Sequence, residues 1–241
     1  MTTGDLSYGL FGERVSLLRE GIIHWPAHDV LLAADLHLGK DATFRSQGIA
    51  VPSGAVATTL HRLSTALTRS GARRLCLLGD LWHARAGRQR SALELVEAWR
   101  AEHEAIEIVL IRGNHDRQTG DPPAAWRMET VDGPWPLGGW QLWHEPPGTD
   151  LSGFHLAGHL HPCVRIDLGP GSTERPRGFW IRPNQVVLPA VGAFTGGRAV
   201  RLGPDDRFLA LVDETVCDVT ELTRSTSRAR PRGLVRSPPV R

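Results

Sequence analysis

Five short clusters of aspartate, asparagine and histidine each follow an apolar run: Asp35-Leu-His37, Gly79-Asp80-Leu-Trp-His83, Gly113-Asn114-His115-Asp116, His144 within Leu-Trp-His-Glu, and Gly158-His159-Leu-His161. Carboxylate, carboxamide and imidazole groups without thiolate suit Mn2+, Fe or Zn2+. In an extended segment residues i and i+2 point to the same side. Asp35 with His37, and His159 with His161, can therefore each present two donors to one pocket, with Leu36 and Leu160 turned into packing. Glycines ahead of Asp80, Asn114 and His159 allow sharp turns and a close approach of backbone to a bound anion. Asp-x-His and Gly-Asp are common, Gly-Asn-His-Asp is rarer and Gly-His-x-His moderately specific; each is weak alone, but five in this order point to a binuclear metal site. Two histidines, His144 and His155, lie between the third and fifth clusters. His155 sits four residues before His159, or about 13 Å along a strand and beyond the site, which leaves His144 as the candidate. His24, His28, His61 and His103 follow no ligand spacing.

Clusters so far apart in the chain need a sheet to bring them together. The apolar runs 30–34, 75–78, 108–111, 141–143 and 154–157 are of strand length. The first three are apolar throughout, as strands buried on both faces are. Between the first two, 53–69 carries Val56, Leu60, Leu63 and Leu67 on one helical face, with Gly71 as a stop. Between the second and third, 91–103 has capping-box spacing at Ser91 and Glu94 and an apolar stripe of Leu95, Val96 and Trp99. Alternating strands and helices argue for an α/β sheet covered by helices, whose ligands bind beyond the carboxyl ends of the strands. After residue 120, prolines and glycines multiply and strand-length runs at 186–188 and 208–212 suggest a second, more antiparallel sheet of the same domain.

With 41% hydrophobic and 22% charged residues in 241, the chain is globular rather than disordered throughout. It has no apolar run of membrane-spanning length and no secretory pattern in MTTGDLSYGL. Cys76, Cys163 and Cys217 are widely spaced, which argues against a disulfide framework and fits a cytoplasmic protein. The net charge is +2, and removing the six arginines from Arg224 onward leaves −4 for residues 1–223. The expected division is a folded domain over 1–223 and a basic tail over 224–241 without packed structure. The tail is read as solvated rather than as a contact to nucleic-acid phosphates.

The clusters resemble the calcineurin-like metallophosphoesterase superfamily, whose pattern is D-x-H, GD-x-x-(D/H), GNH-(D/E), a lone H, and GH-x-H. The resemblance implies a four-layer α-β-β-α sandwich with metals at the C-terminal strand ends. One metal would be held by residues matching Asp35, His37 and His161, the other by those matching Asn114, His144 and His159, with Asp80 bridging both. His115 would sit over the substrate phosphate, its ring oriented by Asp116, and a metal-bridging hydroxide would attack phosphorus in line. Where many members have Asp, this chain has His83, as in the nuclease subunit of the double-strand-break repair complex, which gives that residue a role beside the DNA.

A finer resemblance, carried by DLHLGKDATFRSQGIAVPSG, GDLWHAR, HEP, AGHLHP and LPAVGAFTGG, is to the ligase-associated DNA damage response endonuclease family. It implies a Mn2+-dependent phosphodiesterase acting on DNA, with a single-stranded substrate, in a repair setting beside a DNA ligase, a helicase and a second nuclease. Lys40, Arg45 and Arg198 match its pattern as phosphate contacts, while Phe194–Gly197 is read as a structural turn and Trp82 and Trp143 as packing. Two other readings are a phosphohydrolase for a nucleotide pyrophosphate or cyclic nucleotide and a non-catalytic scaffold. The complete ligand set weighs against the scaffold.

Overall fold

The computed structural model describes residues 4–148, 150–169 and 171–228. One sheet holds β1 (Leu6–Leu10), β2 (Glu13–Leu18), β3 (Ile22–Trp25), β4 (Val30–Ala33), β5 (Arg74–Leu77), β6 (Glu107–Ile111) and β7 (Met128–Val131) in sequence order. Its first half is antiparallel, and β4 to β7 are parallel. The second sheet holds β8 (Trp135–Leu137), β9 (Trp140–Leu142), β10 (Phe154–Ala157), β14 (Gly178–Arg182), β15 (Gln185–Val187), β17 (Arg207–Val212) and β18 (Thr215–Asp218), ordered β18-β17-β14-β15-β10-β9-β8. Strands β9, β10 and β15 are parallel to one another and the rest antiparallel. Two small pairs complete the strands, β11 (Pro162–Cys163) with β16 (Arg198–Ala199) and β12 (Ile166–Gly169) with β13 (Ser172–Glu174).

Alternation along the parallel strands divides the core in two. Leu31, Ala33, Leu75, Leu77, Ile108 and Leu110 face helices α2 (Ala55–Ser70) and α3 (Arg90–Glu102). Leu32, Ala34, Cys76, Leu78, Val109 and Ile111 face the other sheet, meeting Leu142, Leu156, Phe179, Val186 and Leu209. Because the sheets share this buried face, the change of pattern after residue 120 marks a second layer of one unit. The outer face of the second sheet packs Phe208 and Ala210 against Ile166 and Val219. That fourth layer is thin, made of α5 (Thr220–Arg228) and the β12–β13 hairpin.

The seven runs read as strands appear as β4, β5, β6, β9, β10, β15 and β17, each end within one residue. Three local readings are corrected. Helix α3 starts at Arg90 with Gln89 as an uncapped N-cap, so Ser91 lies inside it and Glu94 pairs with Arg90 Nε at 2.8 Å instead of closing a capping box. Its buried stripe is Ala92, Val96 and Trp99, whereas Leu95 faces solvent. Helix α5 crosses the boundary drawn at 223/224, because Thr220–Arg228 continues the chain's last turn against β17; residues 229–241 of the tail lie outside the described residues. The antiparallel strands β1 to β3 and a seven-residue helix, α1 (Lys40–Ser46), were not foreseen. Helix α1 begins at Gly39 in a left-handed conformation without a side-chain cap, and a seven-residue helix is marginal alone. It forms because Gly39 packs so closely on Gly87 that a Cβ would lie 2.2 Å from the Gly87 carbonyl oxygen.

Among the described residues, no helix is long and apolar enough to cross a membrane.

Candidate metal centre

All five clusters follow strands that end at one edge of the two sheets, β4, β5, β6, β9 and β10. They do not meet as extended segments. Asp35, His37, Asp80, His159 and His161 all have positive φ, between 42° and 67°. Left-handed backbone at a non-glycine residue costs of order 1–3 kcal/mol and persists only where surroundings impose it. Here the loop after β4 and the loop after β5 are laced by backbone bonds: Asp35 N to Gly79 O, His37 N to Asp80 O, Leu38 N to Leu81 O and His83 N to Leu38 O. The i and i+2 pairs share a pocket, but through these turns and not through strand alternation. Leu36 is buried, whereas Leu160 is only half-buried.

The ligand atoms form two facing sets. Asp35, His37 and His161 place one donor atom each within 4.8 Å of one another, and so do Asp80, His144 and His159. In the first set the Nε2 atoms of His37 and His161 are 3.1 Å apart. In the second, His144 Nε2 lies 2.9 Å from Asn114 Oδ1 and 3.1 Å from His159 Nδ1. Asp80 faces both, with Oδ2 3.6 Å from His37 Nε2 and Oδ1 3.4 Å from His144 Nε2.

Hydrogen bonds on the far side of the rings determine what these nitrogens offer. His144 Nδ1 lies 2.9 Å from the Leu78 carbonyl and His161 Nδ1 lies 3.2 Å from the Gly196 carbonyl. A carbonyl only accepts, so each Nδ1 carries the proton and each Nε2 turns a lone pair inward. The inward lone pairs of His144 and His161 thus converge with the carboxylates of Asp35 and Asp80, each of which accepts one backbone N–H, from His159 to Asp35 Oδ2 and from His115 to Asp80 Oδ1. One oxygen of Asp35, Oδ1, is buried without a hydrogen-bond partner. Such an arrangement is costly by itself and fits divalent cations held by nitrogen and oxygen, with carbonyls behind the imidazoles fixing the rings. Burial, reinforced by neighbouring His161, Lys40, His115 and His83, holds His37 far below the usual imidazole range. Burial, with Lys40, His115 and His161 adding, takes His83 down to about 4. The neutral imidazole that results is the form that binds metal.

Two glycines have a different purpose from the one expected. A Cβ on Gly79, whose φ is +81°, would lie 2.2 Å from His144 Nδ1, and one on Gly113 would lie 2.2 Å from Asp80 Oδ1. These positions make room for ligand side chains, not for an anion.

Asp116 does not orient the His115 ring. Its carboxylate accepts the backbone N–H groups of Asp80 (2.7 Å), Leu81 (3.0 Å) and Gly113 (2.9 Å), the last as the N3 residue of helix α4 (Asn114–Thr119). The ring is held instead by the His83 carbonyl, 2.5 Å from His115 Nδ1, which leaves Nε2 facing the cleft 3.9 Å from Asp80 Oδ2. Replacing Asp116 with Ala strands three buried donors at about 1–3 kcal/mol each. The variant should melt well below the wild type and bind metal more weakly; an unchanged melting temperature would contradict this role.

His83 joins the site from the side, its Nδ1 3.5 Å from His37 Nδ1 and its ring stacked on His115 at 5.2 Å. His155 stands apart, buried, with Nδ1 accepting from Trp143 Nε1. Trp82 is fully buried. Of the proposed phosphate contacts, Arg45 is tied to Asp41 and to the Pro52 carbonyl, Arg198 is exposed on β16, and Lys40 begins α1 beside the cluster. The Phe194–Gly197 turn, read as structural, supplies the carbonyl that orients His161.

No protein-family model matches the chain, and no curated protein matches it. Among solved structures, the Pseudomonas putida nuclease MPE is 37% identical, over 89% of this chain and 100% of that one, with a TM-score of 0.77. The E. coli phosphoesterase Yfce is 20% identical over 79% of this chain and 98% of its own, with a TM-score of 0.40, a likeness too slight to argue from. On the 37% identity to the nuclease over 89% of its length, the chain belongs to the calcineurin-like metallophosphoesterase superfamily, and within it is similar to the ligase-associated DNA damage response endonuclease family.

Proposed function

We propose that this chain is a binuclear metal-dependent phosphodiesterase that cuts DNA. The observation that carries the reading is the convergence of two donor sets on Asp80, whose two oxygens face one set each. A pair of divalent ions, Mn2+ by preference, would supply Lewis-acid neutralisation of phosphoryl charge and activate a water for in-line attack. Asp35, His37 and His161 would hold one ion, Asn114, His144 and His159 the other, and Asp80 would bridge them. His115, fixed through Nδ1 by the His83 carbonyl, would in its doubly protonated imidazolium form deliver the Nε2 proton to the departing sugar oxygen and be left as the neutral Nδ1–H ring. His83 keeps that carbonyl and its own ring in place beside the reacting phosphate. Asp116 is assigned a positioning role, through the backbone of residues 80, 81 and 113.

DNA as substrate is inferred from the Pseudomonas putida nuclease, similar over its full length. The −4 charge of residues 1–223 provides no general attraction for a polyanion. The attraction has to be local, through Lys40 and Arg198. The same resemblance suggests a place in DNA repair with a ligase, a helicase and a second nuclease.

A four-substrate assay tests the reading. With Mn2+ the protein should cleave single-stranded DNA and nick a plasmid, and a chelator should abolish both activities until metal is restored. Rapid turnover of a cyclic nucleotide or nucleotide pyrophosphate without nicking would reject the nuclease reading in favour of a small-molecule phosphohydrolase.

A further inference from the structure

A row of rings leads outward from the candidate metal centre. His115 stacks on His83 at 5.2 Å, His83 meets Phe44 edge-on at 6.0 Å, and Phe44 meets Phe194 edge-on at 5.9 Å. Phe44 and Phe194 are each partly exposed, and neither belongs to any of the three apolar cores. Their surroundings are open: Ile49, bonded through its N–H to the Phe44 carbonyl, is 49% exposed, and a Cβ built on Gly196 meets nothing within 4 Å. Lys40 Nζ lies 5.9 Å from the Phe44 centroid and has no carboxylate within 4.0 Å among the described residues. Both phenylalanines are carried on segments that also hold the centre. Helix α1 follows directly on the His37 loop, and the Phe194 turn bonds the His161 ring through Gly196.

We propose that Phe44 and Phe194 form a stacking platform for the nucleobase next to the scissile phosphate, with Lys40 placed for the adjoining backbone phosphate; this rests on the DNA-cleaving reading above. Two partly exposed aromatic rings and an ammonium without a carboxylate partner among the described residues, continuous with the reacting centre, match the alternation of base and phosphate along an unpaired strand. Every base offers a π-face, so the platform positions the strand without reading its sequence.

The test compares two oligonucleotides in Mn2+, one natural and one in which a central block of nucleotides carries sugar and phosphate but no base. Wild-type protein should cleave the natural strand with a kcat/KM about tenfold or more above that for cleavage within the base-free block, the scale of one lost stacking contact. In Phe44→Ala/Phe194→Ala that ratio should fall towards one, and Phe44→Trp/Phe194→Trp should restore it. Phe44→Leu/Phe194→Leu, which keeps apolar bulk, should behave as the alanine pair does. An unchanged ratio in the alanine pair, an equal loss on both strands, or a wild-type enzyme indifferent to the missing bases would each overturn the proposal. If the wild type cleaves neither strand, the DNA reading itself fails and the platform with it.

Discussion

Asp80→Asn should lower apparent divalent-metal affinity at least about 100-fold and phosphodiester cleavage by on the order of a thousandfold or more. Asp80 turns one carboxylate oxygen towards a histidine of each donor set. An amide keeps a single acceptor and turns an N–H2 donor towards an imidazole lone pair. Stability of the metal-free protein should move the other way. Burial, with Asp35 adding and His144 opposing, pushes the Asp80 carboxyl up to about 6. A folded-state value above the ordinary one means that the fold favours the neutral form. The penalty for the charged form is therefore full above about pH 6, fades as the pH falls from there towards the ordinary carboxylate value of 3.8, and is gone below that value. With metal removed, Asp80→Asn should melt at or above the wild-type temperature at pH 8, and the gap should narrow steadily as the pH falls from about 6 towards 4. Paired thermal melts and metal titrations measure both effects. A variant that still binds metal normally, or a metal-free variant much less stable than wild type at pH 8, contradicts the bridging assignment.

His115→Ala should separate catalysis from metal binding. Its Nδ1 is held by the His83 carbonyl, and its Nε2 stands 3.9 Å from the nearest Asp80 oxygen, facing the cleft. Loss of a general acid costs typically about 10²–10⁴-fold in turnover, while bound metal should stay at the wild-type level. The loss should be large for a DNA strand, whose departing sugar oxygen needs a proton, and small for a diester with a p-nitrophenolate leaving group, which needs none. Equal losses on the two substrates would remove the proton-donor role. A fall in bound metal would instead make His115 a ligand, through the His37–His83–His115 trio that also lies at ligand spacing.

These two roles are distinct because of contacts that no local pattern announces. The residue types and their order were legible in the chain: each cluster follows a strand-length apolar run, and five such runs became β4, β5, β6, β9 and β10 with the clusters at one edge. His144 was separable from His155 by distance along a strand alone, and in the fold His155 bonds Trp143 away from the centre. Helix α2 was equally legible, since four leucine and valine positions at helical spacing all became buried. Asp116 was misread, because an acidic residue next to a histidine looks like its partner in the chain, whereas the backbone donors of residues 80 and 81 come from another loop. Helix α1 was missed because what steadies it is the approach of Gly39 to Gly87.

Alternation and spacing thus determined which side chains stand at the ends of which strands, since both are properties of a few consecutive residues. Only the tertiary structure decided which atoms face inward. The left-handed turns at Asp35, His37, Asp80, His159 and His161 are unfavourable in isolation, and those of the first two loops are held by hydrogen bonds between segments more than 40 residues apart in the chain. The inward lone pairs likewise depend on carbonyls at Leu78 and Gly196, 66 and 35 residues from the rings they orient. A local pattern cannot encode a bond whose partner is brought near only when the two sheets close on their common core.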